Sequence, residues 1–283
     1  MGAGGQLGAA VVHECAGAHD TAALTRRQLD VRDAEAVTAA MDRLRPDVIV
    51  NGAAFTNVDA AEERPLEALD INAFAVRDLA RAAGRHGATL VHYSTDFVFD
   101  GRASEPYTEE QPPNPQSTYA ASKLLGEWFA LDAPRAYVLR VESLFGRVPN
   151  GPAAKGSVAG ILKTLETGGA AKVFADRTIS PTYIIDAARA TRQLVERDAA
   201  GAPPGVYHCV NSGSCTWLEL AQELAQRLGV TATLEPVRMA DMPLRAMRPQ
   251  YCALSNAKLQ ALGITMPPWQ DALARYVRGT AAS

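Results

Sequence analysis

Cysteine is scarce, with Cys15, Cys209, Cys215 and Cys252 the only four in 283 residues. No Cys-x-x-Cys pair occurs, and the five histidines form no His-x-x-x-His pair. A zinc site therefore has no ligand set of the usual spacing, and no metal is expected. The thiols are expected to be reduced core residues of a cytoplasmic protein. Apolar runs are short, none approaching the roughly 20 residues that span a bilayer, so no membrane partner is expected. Met1 is followed by Gly2-Ala3-Gly4-Gly5 rather than by a basic flank and an apolar core, so no signal peptide is expected. Lys and Arg number 28 against 31 Asp and Glu, a net charge of -3 without dense basic stretches. Such a chain lacks a phosphate-backbone footprint, and nucleic acid is not an expected partner. Internal repeats and low-complexity tracts are absent too. Hydrophobic residues at 47% and charged residues at 21% exclude a largely disordered chain.

What the chain does have is alternation. Compact apolar runs at Asp47-Val48-Ile49-Val50-Asn51, Thr89-Leu90-Val91-His92-Tyr93 and Tyr137-Val138-Leu139-Arg140-Val141 read as strands buried on both faces of a parallel sheet. Helices are predicted between them, from Asp33 to Leu44 and from Pro65 to Arg85. The second carries Leu66, Leu69, Ala73, Val76 and Ala80 at three- and four-residue steps, with Gly87 as its stop. The fold class is therefore α/β, a doubly wound parallel sheet of Rossmann type with a smaller lobe. The nucleotide lobe is expected to span residues 1–148, with 179–210 returning to it. The smaller, substrate-binding lobe takes 149–178 and 211–283. In the second half, helices are predicted at Ser157 to Glu166, Asp186 to Arg197 and Leu218 to Leu228. Strands are predicted at Lys172 to Phe174 and Val206 to Val210, ahead of a loop-rich tail.

Gly2, Gly5 and Gly8 form a Gly-x-x-Gly-x-x-Gly loop ahead of an Ala- and Val-rich helical stretch. That spacing lets backbone N–H groups approach a pyrophosphate at a helix N-terminus. Such a loop follows a buried strand of about five residues, whereas here only Met1 precedes it. The sheet is thus expected to lack its first strand, leaving a neighbour with unpaired backbone groups and an open groove. A start upstream of Met1 is the favoured explanation. After a second β-like stretch come Thr25-Arg26-Arg27-Gln28-Leu29-Asp30-Val31. A guanidinium at Arg26 or Arg27 would pair with a ribose 2′-phosphate, which favours NADPH over NADH.

Tyr119 and Lys123 stand four residues apart in Tyr119-Ala120-Ala121-Ser122-Lys123, on one face of a predicted helix. A phenol has an ordinary pKa of about 10, and a neighbouring ammonium is expected to lower it toward proton exchange with a carbonyl. Lys123 could also reach the cofactor ribose. Thr95 ends the strand His92-Tyr93-Ser94-Thr95, at the sheet edge where ligand crevices open. Its hydroxyl is placed to bond the reacting carbonyl. Thr95, Tyr119 and Lys123 are the candidate catalytic residues.

These motifs, in this order, resemble the dTDP-4-dehydrorhamnose reductase family of extended short-chain dehydrogenases/reductases. The likeness includes Gly2 to Gly8, Leu29-Asp30-Val31, Asn51 to Asp59, Ser94 to Gly101, Tyr119 to Glu127 and Pro181-Thr182-Tyr183. It extends through Arg248-Pro249 and Lys258-Leu259 to Pro268-Trp269. The resemblance implies NAD(P)H-dependent reduction of a nucleotide-linked 4-keto-6-deoxysugar, with Tyr119 protonating the oxygen and Thr95 and Lys123 assisting. It implies cofactor contacts from Gly2, Gly5, Gln6, Leu7, Asp30, Val31, Ala53, Ala54 and Thr56, joined by Arg26, Tyr119 and Lys123. Members of the family often pair, so a homodimer is the implied assembly. Two departures stand out. The family usually has Tyr at Phe97, and an Arg-Thr-Ser-Trp run where this chain reads Arg140-Val141-Glu142-Ser143. They remove a hydroxyl and an aromatic platform worth on the order of 1 kcal/mol each, and imply changed sugar specificity with retained chemistry. Two alternatives remain at this point. A non-catalytic NADP-binding regulatory subunit, like the β subunit of methionine adenosyltransferase, would oxidise no NADPH with a keto-sugar. A sugar-nucleotide epimerase or dehydratase would retain bound cofactor through its cycle.

Overall fold

The computed structural model describes residues 1–198 and 200–281. Its first half comprises α1 (Gln6–Cys15), α2 (Ala34–Leu44), β1 (Val48–Asn51), α3 (Val58–Glu63), α4 (Pro65–Leu69), α5 (Ala75–His86), β2 (Thr89–Thr95), α6 (Thr118–Leu131), β3 (Ala136–Val141) and β4 (Leu144–Phe145). Next come α7 (Ser157–Glu166), β5 (Ala170–Phe174), β6 (Thr178–Ile179), β7 (Thr182–Tyr183), α8 (Ile184–Asp198) and β8 (Gly205–His208). The chain ends with β9 (Cys215–Thr216), α9 (Trp217–Leu228), β10 (Thr233–Val237), α10 (Ala257–Ala261) and α11 (Trp269–Ala281).

Four strands pair in parallel in the order β1-β2-β3-β8. All residues of β2 and β3 are buried, as a sheet covered on both faces requires. One face packs Val37, Met41, Val76 and Leu79 of α2 and α5 against Ile49, Leu90 and Val138. On the other, Leu7, Ala10 and Val11 of α1 meet Ile184, Ala187 and Leu194 of α8 across Tyr93, Leu139 and Tyr207. A separate core gathers Val158, Ile161 and Leu165 with Trp217, Leu220, Leu224, Trp269 and Leu273. Among the described residues no further strand pairs with β1 on its outer edge. Met1 alone lies there, its amino group donating to the Val50 carbonyl at 2.6 Å and its carbonyl accepting from Gly52 N–H at 3.1 Å. The β-like stretch before Thr25 has no ladder partner and is not a strand, although Leu24 O accepts from Ala3 N–H at 3.1 Å.

Two expectations are corrected. The helix predicted from Pro65 to Arg85 is interrupted by a π-helical turn at Asp70–Phe74. The extra residue rotates the apolar stripe, so Ala68 is buried while Leu66 stands 75% exposed. Gly87 does cap α5 in the left-handed conformation, at φ 66°. The tail is less loop-rich than expected, because Pro267 and Pro268 lead directly into α11, where a proline fits the first turn. Pro236 lies inside β10, which pairs in parallel with β5 in a two-stranded sheet. That strand lies at an edge, where a missing N–H is tolerated.

Candidate functional site

The register of the sheet aligns its carboxyl ends. Asn51 stands opposite His92, and Thr95 opposite Val141, so the segments after β1, β2 and β3 emerge along one rim. The glycine loop folds over the first of these. Gly2 has φ 75°, and a Cβ there would stand 2.6 Å from the Ala53 nitrogen, so only glycine fits. A Cβ on Gly8 would overlap the Gly2 carbonyl. Helix α1 begins after Gly5 with no side-chain cap and no acidic residue in its first turn. Its leading N–H groups and partial positive charge therefore remain available to an anion. This cradle fits a dinucleotide pyrophosphate. Gln6 Nε2 donates to Gly146 O at 3.0 Å, tying the loop to the segment after β4. Val31, Phe55 and Tyr119 form one apolar cluster, with Met1, Ala53 and Phe97 packed against it.

Other expected cofactor residues lie at the surface. Thr56, Arg26 and Arg27 are exposed, and Ala54 is half-buried. Asp30 accepts from Arg32 Nε at 3.0 Å, and Arg26 Nε stands 3.8 Å away. The Arg32 hydrogen bond is the main cause holding the Asp30 carboxyl down at about 2.

Helix α6 starts at a Ser117 cap, whose hydroxyl accepts from Ala120 N–H, and it carries both Tyr119 and Lys123 to the rim. The Thr95 side chain lies beside the Tyr119 phenol, and its hydroxyl donates to Asp96 Oδ1, so two of the three candidate catalytic groups meet. Lys123 is turned otherwise. Its Nζ donates to the Tyr93 carbonyl at 2.5 Å and lies 3.4 Å from His92 Nε2. The expected lowering of the phenol by the ammonium is therefore not found. Burial pushes Tyr119 above its ordinary value, opposed by the neighbouring Thr95 and assisted by Asp96. Burial also pulls Lys123 down to about 8, against the pull of Glu127. His92, buried beside this ammonium, is driven well below the usual histidine range. The phenol is thus held protonated, the form a proton donor needs.

Residues that motif reading passed over complete the rim. Asn72, in the π-helical turn, accepts from Phe55 N–H at 2.8 Å. It donates to Phe55 O at 3.1 Å and to Ser122 Oγ at 3.0 Å. It thereby clamps the loop after β1 to α6. π-helical turns recur at functional sites, but no spacing rule announces such a clamp in sequence. Asp96 follows Thr95 and accepts from its hydroxyl at 2.9 Å. The two departures from the family pattern come together around Arg177. Its guanidinium lies 5.3 Å over the Phe97 ring, and Phe97 meets Tyr119 edge-on at 5.5 Å. Glu142 accepts from Ser180 N–H at 2.6 Å, and Ser143 takes a positive φ of 43°. The carboxylate in place of an apolar strand end was the available signal for Glu142. Arg177 had none. Asp59 and Arg248, from two of the matching stretches, pair at 2.8 Å.

A glycine cradle over a parallel sheet, with a tyrosine-lysine helix and a threonine at the rim, defines an α/β reductase of the extended short-chain dehydrogenase/reductase type. The family described as RmlD substrate binding domain matches residues 1–281, and the chain belongs to it. A probable dTDP-4,6-dihydroxy-2-methyloxan-3-one 4-ketoreductase of Streptomyces antibioticus is 38% identical, covering 96% of this chain and 91% of that protein. The dTDP-4-dehydrorhamnose reductase of Mycobacterium tuberculosis (strain ATCC 25618 / H37Rv) is 37% identical over 100% of this chain and 92% of its own length. A solved structure of dTDP-4-dehydrorhamnose reductase from Bacillus anthracis str. Ames, in complex with NADP, superposes with a TM-score of 0.90 at 30% identity. That match covers 98% of this chain and 97% of the other. No helix among the described residues is long and apolar enough to cross a membrane.

Proposed function

We propose that this protein uses NADPH to reduce the C4 carbonyl of a nucleotide-linked 4-keto-6-deoxysugar, as a dTDP-4-dehydrorhamnose reductase does. NADPH, when bound, supplies the hydride. The observation that carries the reading is the buried, protonated Tyr119 phenol set beside Thr95 at the end of β2. In this reading Thr95 and Tyr119 hold the sugar oxygen, and the Tyr119 O–H bond breaks as that oxygen takes the proton. Lys123, fixed on the Tyr93 carbonyl, holds positive charge beneath the site. Gly2, Gly5 and the open turn of α1 bind the pyrophosphate, Val31 and Ala53 flank the adenosine half, and Arg26 faces a 2′-phosphate. Residues 1–148 and 179–210 form the cofactor lobe, and 149–178 with 211–283 the sugar lobe.

The four free cysteines suit a cytoplasmic enzyme. We also place a homodimer contact on the α5–α6 face. Phe74, Trp128 and Leu131 are exposed there, around a groove of about 350 Å³ lined by Arg77, Arg81 and Asp132. Basic and acidic groups on one face suit a self-complementary two-fold pairing.

The test follows NADPH oxidation with a dTDP-linked 4-keto-6-deoxysugar. Turnover is expected in the wild type. In Tyr119→Phe it should fall by about 10²–10⁴-fold with cofactor affinity nearly unchanged. A variant with wild-type turnover refutes Tyr119 as donor, and a wild type that oxidises no NADPH refutes the reductase.

A further inference from the structure

Helix α3 is only six residues long and carries three acids, Asp59, Glu62 and Glu63. Asn57 caps its start, accepting from Ala60 N–H at 3.0 Å, and Asp59 in the first turn suits the helix dipole. Glu62 and Glu63 stand at the opposite end, where that dipole disfavours carboxylates, and no basic residue shares their turn. A helix this short does not hold itself together, so its order comes from what its side chains grip. Ala61, fully buried, packs in the same apolar cluster as Tyr119. The acids reach out in two directions. Glu62 accepts from Thr118 N–H at 2.8 Å and from the Thr118 hydroxyl at 2.7 Å. It thereby satisfies an N–H that the first turn of α6 leaves free, at the residue before Tyr119. Asp59 accepts from Arg248 Nη1 and Nη2, at 3.1 and 2.8 Å, and from Ala246 N–H at 3.0 Å. Glu63 pairs with Arg245. Residues 245–248 belong to the tail, between β10 and α10. That strap is anchored on either side, by Met239 N–H on Asp176 at 3.0 Å and by Tyr251 N–H on Gly101 O at 3.1 Å. Between the anchors Ala246 is buried while Arg245 and Met247 stand exposed, so the strap turns one residue in and α3 holds it there.

We propose that α3 carries the position of the tail strap to the proton donor, with Asp59, Arg248 and Glu62 as positioning residues for the reduction. The proposal rests on Tyr119 being the donor in the reduction described above. The strap fixes α3 through Asp59, and α3 fixes where α6 begins through Glu62. Tyr119 is the next residue, so the aim of its phenol depends on a segment of the lobe assigned above to the sugar. The use of these contacts is geometric. A partly exposed ion pair adds little stability, but bidentate pairing of a guanidinium with a carboxylate sets direction as well as distance. Misplacing a reacting group by about 1 Å costs on the order of 10²-fold in rate, so a slight tilt of α6 is enough to matter. No proton or electron travels along this path, and α3 acts by position alone. A chain whose strap is not seated on α3 would still bind NADPH, yet hold its phenol out of line. Proton donation is in this way tied to the docking of the two lobes.

Amide hydrogen exchange and steady-state kinetics test this together. Arg248 bonds only Asp59 and Ala246 O among the described residues, so Arg248→Ala removes the strap's grip without touching α6. The Thr118 amide should nonetheless exchange about tenfold faster in that variant, as it should in Glu62→Ala, where its acceptor is gone. In both, kcat for the keto-sugar should fall about tenfold while KM stays within about threefold. Because one path joins the two sites, the double variant should be at most about twofold slower than Glu62→Ala, whereas independent sites would multiply to about a hundredfold. Glu62→Gln keeps an acceptor for Thr118 N–H and a group that can bond its hydroxyl, and should restore both readouts. Urea midpoints should stay near that of the wild type, since these side chains lie at the surface. Unchanged exchange at Thr118 in Arg248→Ala overturns the link, and this arm needs no turnover. Faster exchange with wild-type kcat overturns the positioning role, as does a double variant whose losses multiply. A wild type that reduces no keto-sugar overturns the reduction and the positioning with it, while exchange at Thr118 still decides the mechanical link.

Discussion

Replacing Asn72 with alanine would remove the three hydrogen bonds that hold the loop after β1 to helix α6. Two of its partners are the N–H and carbonyl of Phe55, itself buried. Each buried group left without a partner costs about 1–3 kcal/mol, and the vacated side-chain volume adds to that. Ser122 Oγ keeps its bond to Tyr119 O at 2.8 Å, so its loss counts for little. The sum is about 3–5 kcal/mol, a large share of the roughly 5–15 kcal/mol typical of a domain. Urea unfolding of Asn72→Ala against wild type measures it directly. Ala53 backs the glycine loop, and Phe55 belongs to the cluster that holds Tyr119, so NADPH binding should weaken by about tenfold or more. Fluorescence titration would read that change. Asn72→Asp separates the two halves of the clamp, since it still accepts from Phe55 N–H but cannot donate to Phe55 O. It should fall between alanine and wild type. A loss of stability under about 1 kcal/mol in Asn72→Ala, with unchanged NADPH affinity, would refute the clamp.

Three further outcomes can be measured. Arg26→Ala should lower the ratio of kcat/KM for NADPH over NADH by about tenfold, and an unchanged ratio counts against a 2′-phosphate contact. Lys123, held down at about 8 by burial, is charged at unfavourable expense below that pH. As pH rises from about 8 toward the ordinary lysine value, the unfolded chain keeps a proton that the folded protein has released. Stability relative to Lys123→Met should therefore rise across that window, by at most about 3 kcal/mol, and a flat or falling difference in urea midpoints contradicts it. Trp128→Glu should shift sedimentation from dimer toward monomer without loss of turnover per chain, whereas a mutant with wild-type mass removes the α5–α6 contact.

The strands were legible because a sheet buried on both faces needs continuous apolar runs, and Leu90-Val91 or Val138-Leu139 can be little else. Tyr119 and Lys123 were legible as a pair because their spacing fixes a common helix face. Which atom the ammonium grips was not, since the Tyr93 carbonyl is supplied by a strand 30 residues away. The π-helical turn escaped notice for a related reason. Asn72 reads as one polar residue in an amphipathic helix until Phe55 and Ser122 are brought to it. Arg177 meets Glu142 and Asp96 only after the chain has run through α7 and β5, and local pattern carries no trace of such a meeting. The tail misled through its prolines, which punctuate loops and helix starts alike.

The pairing of Arg140 with Glu127 has a bearing on how such enzymes diversify. Two bonds of 2.9 and 2.7 Å join them in the interior, and Ser94 donates to the same carboxylate at 2.5 Å. Removing one partner of a buried pair like this costs about 3–5 kcal/mol, so α6 is riveted to the sheet regardless of what occupies the crevice. The groups that differ from the family pattern, Phe97, Glu142 and Ser143, sit on strand-end loops outside that rivet. Evolution can exchange them to admit another sugar while the phenol keeps its aim.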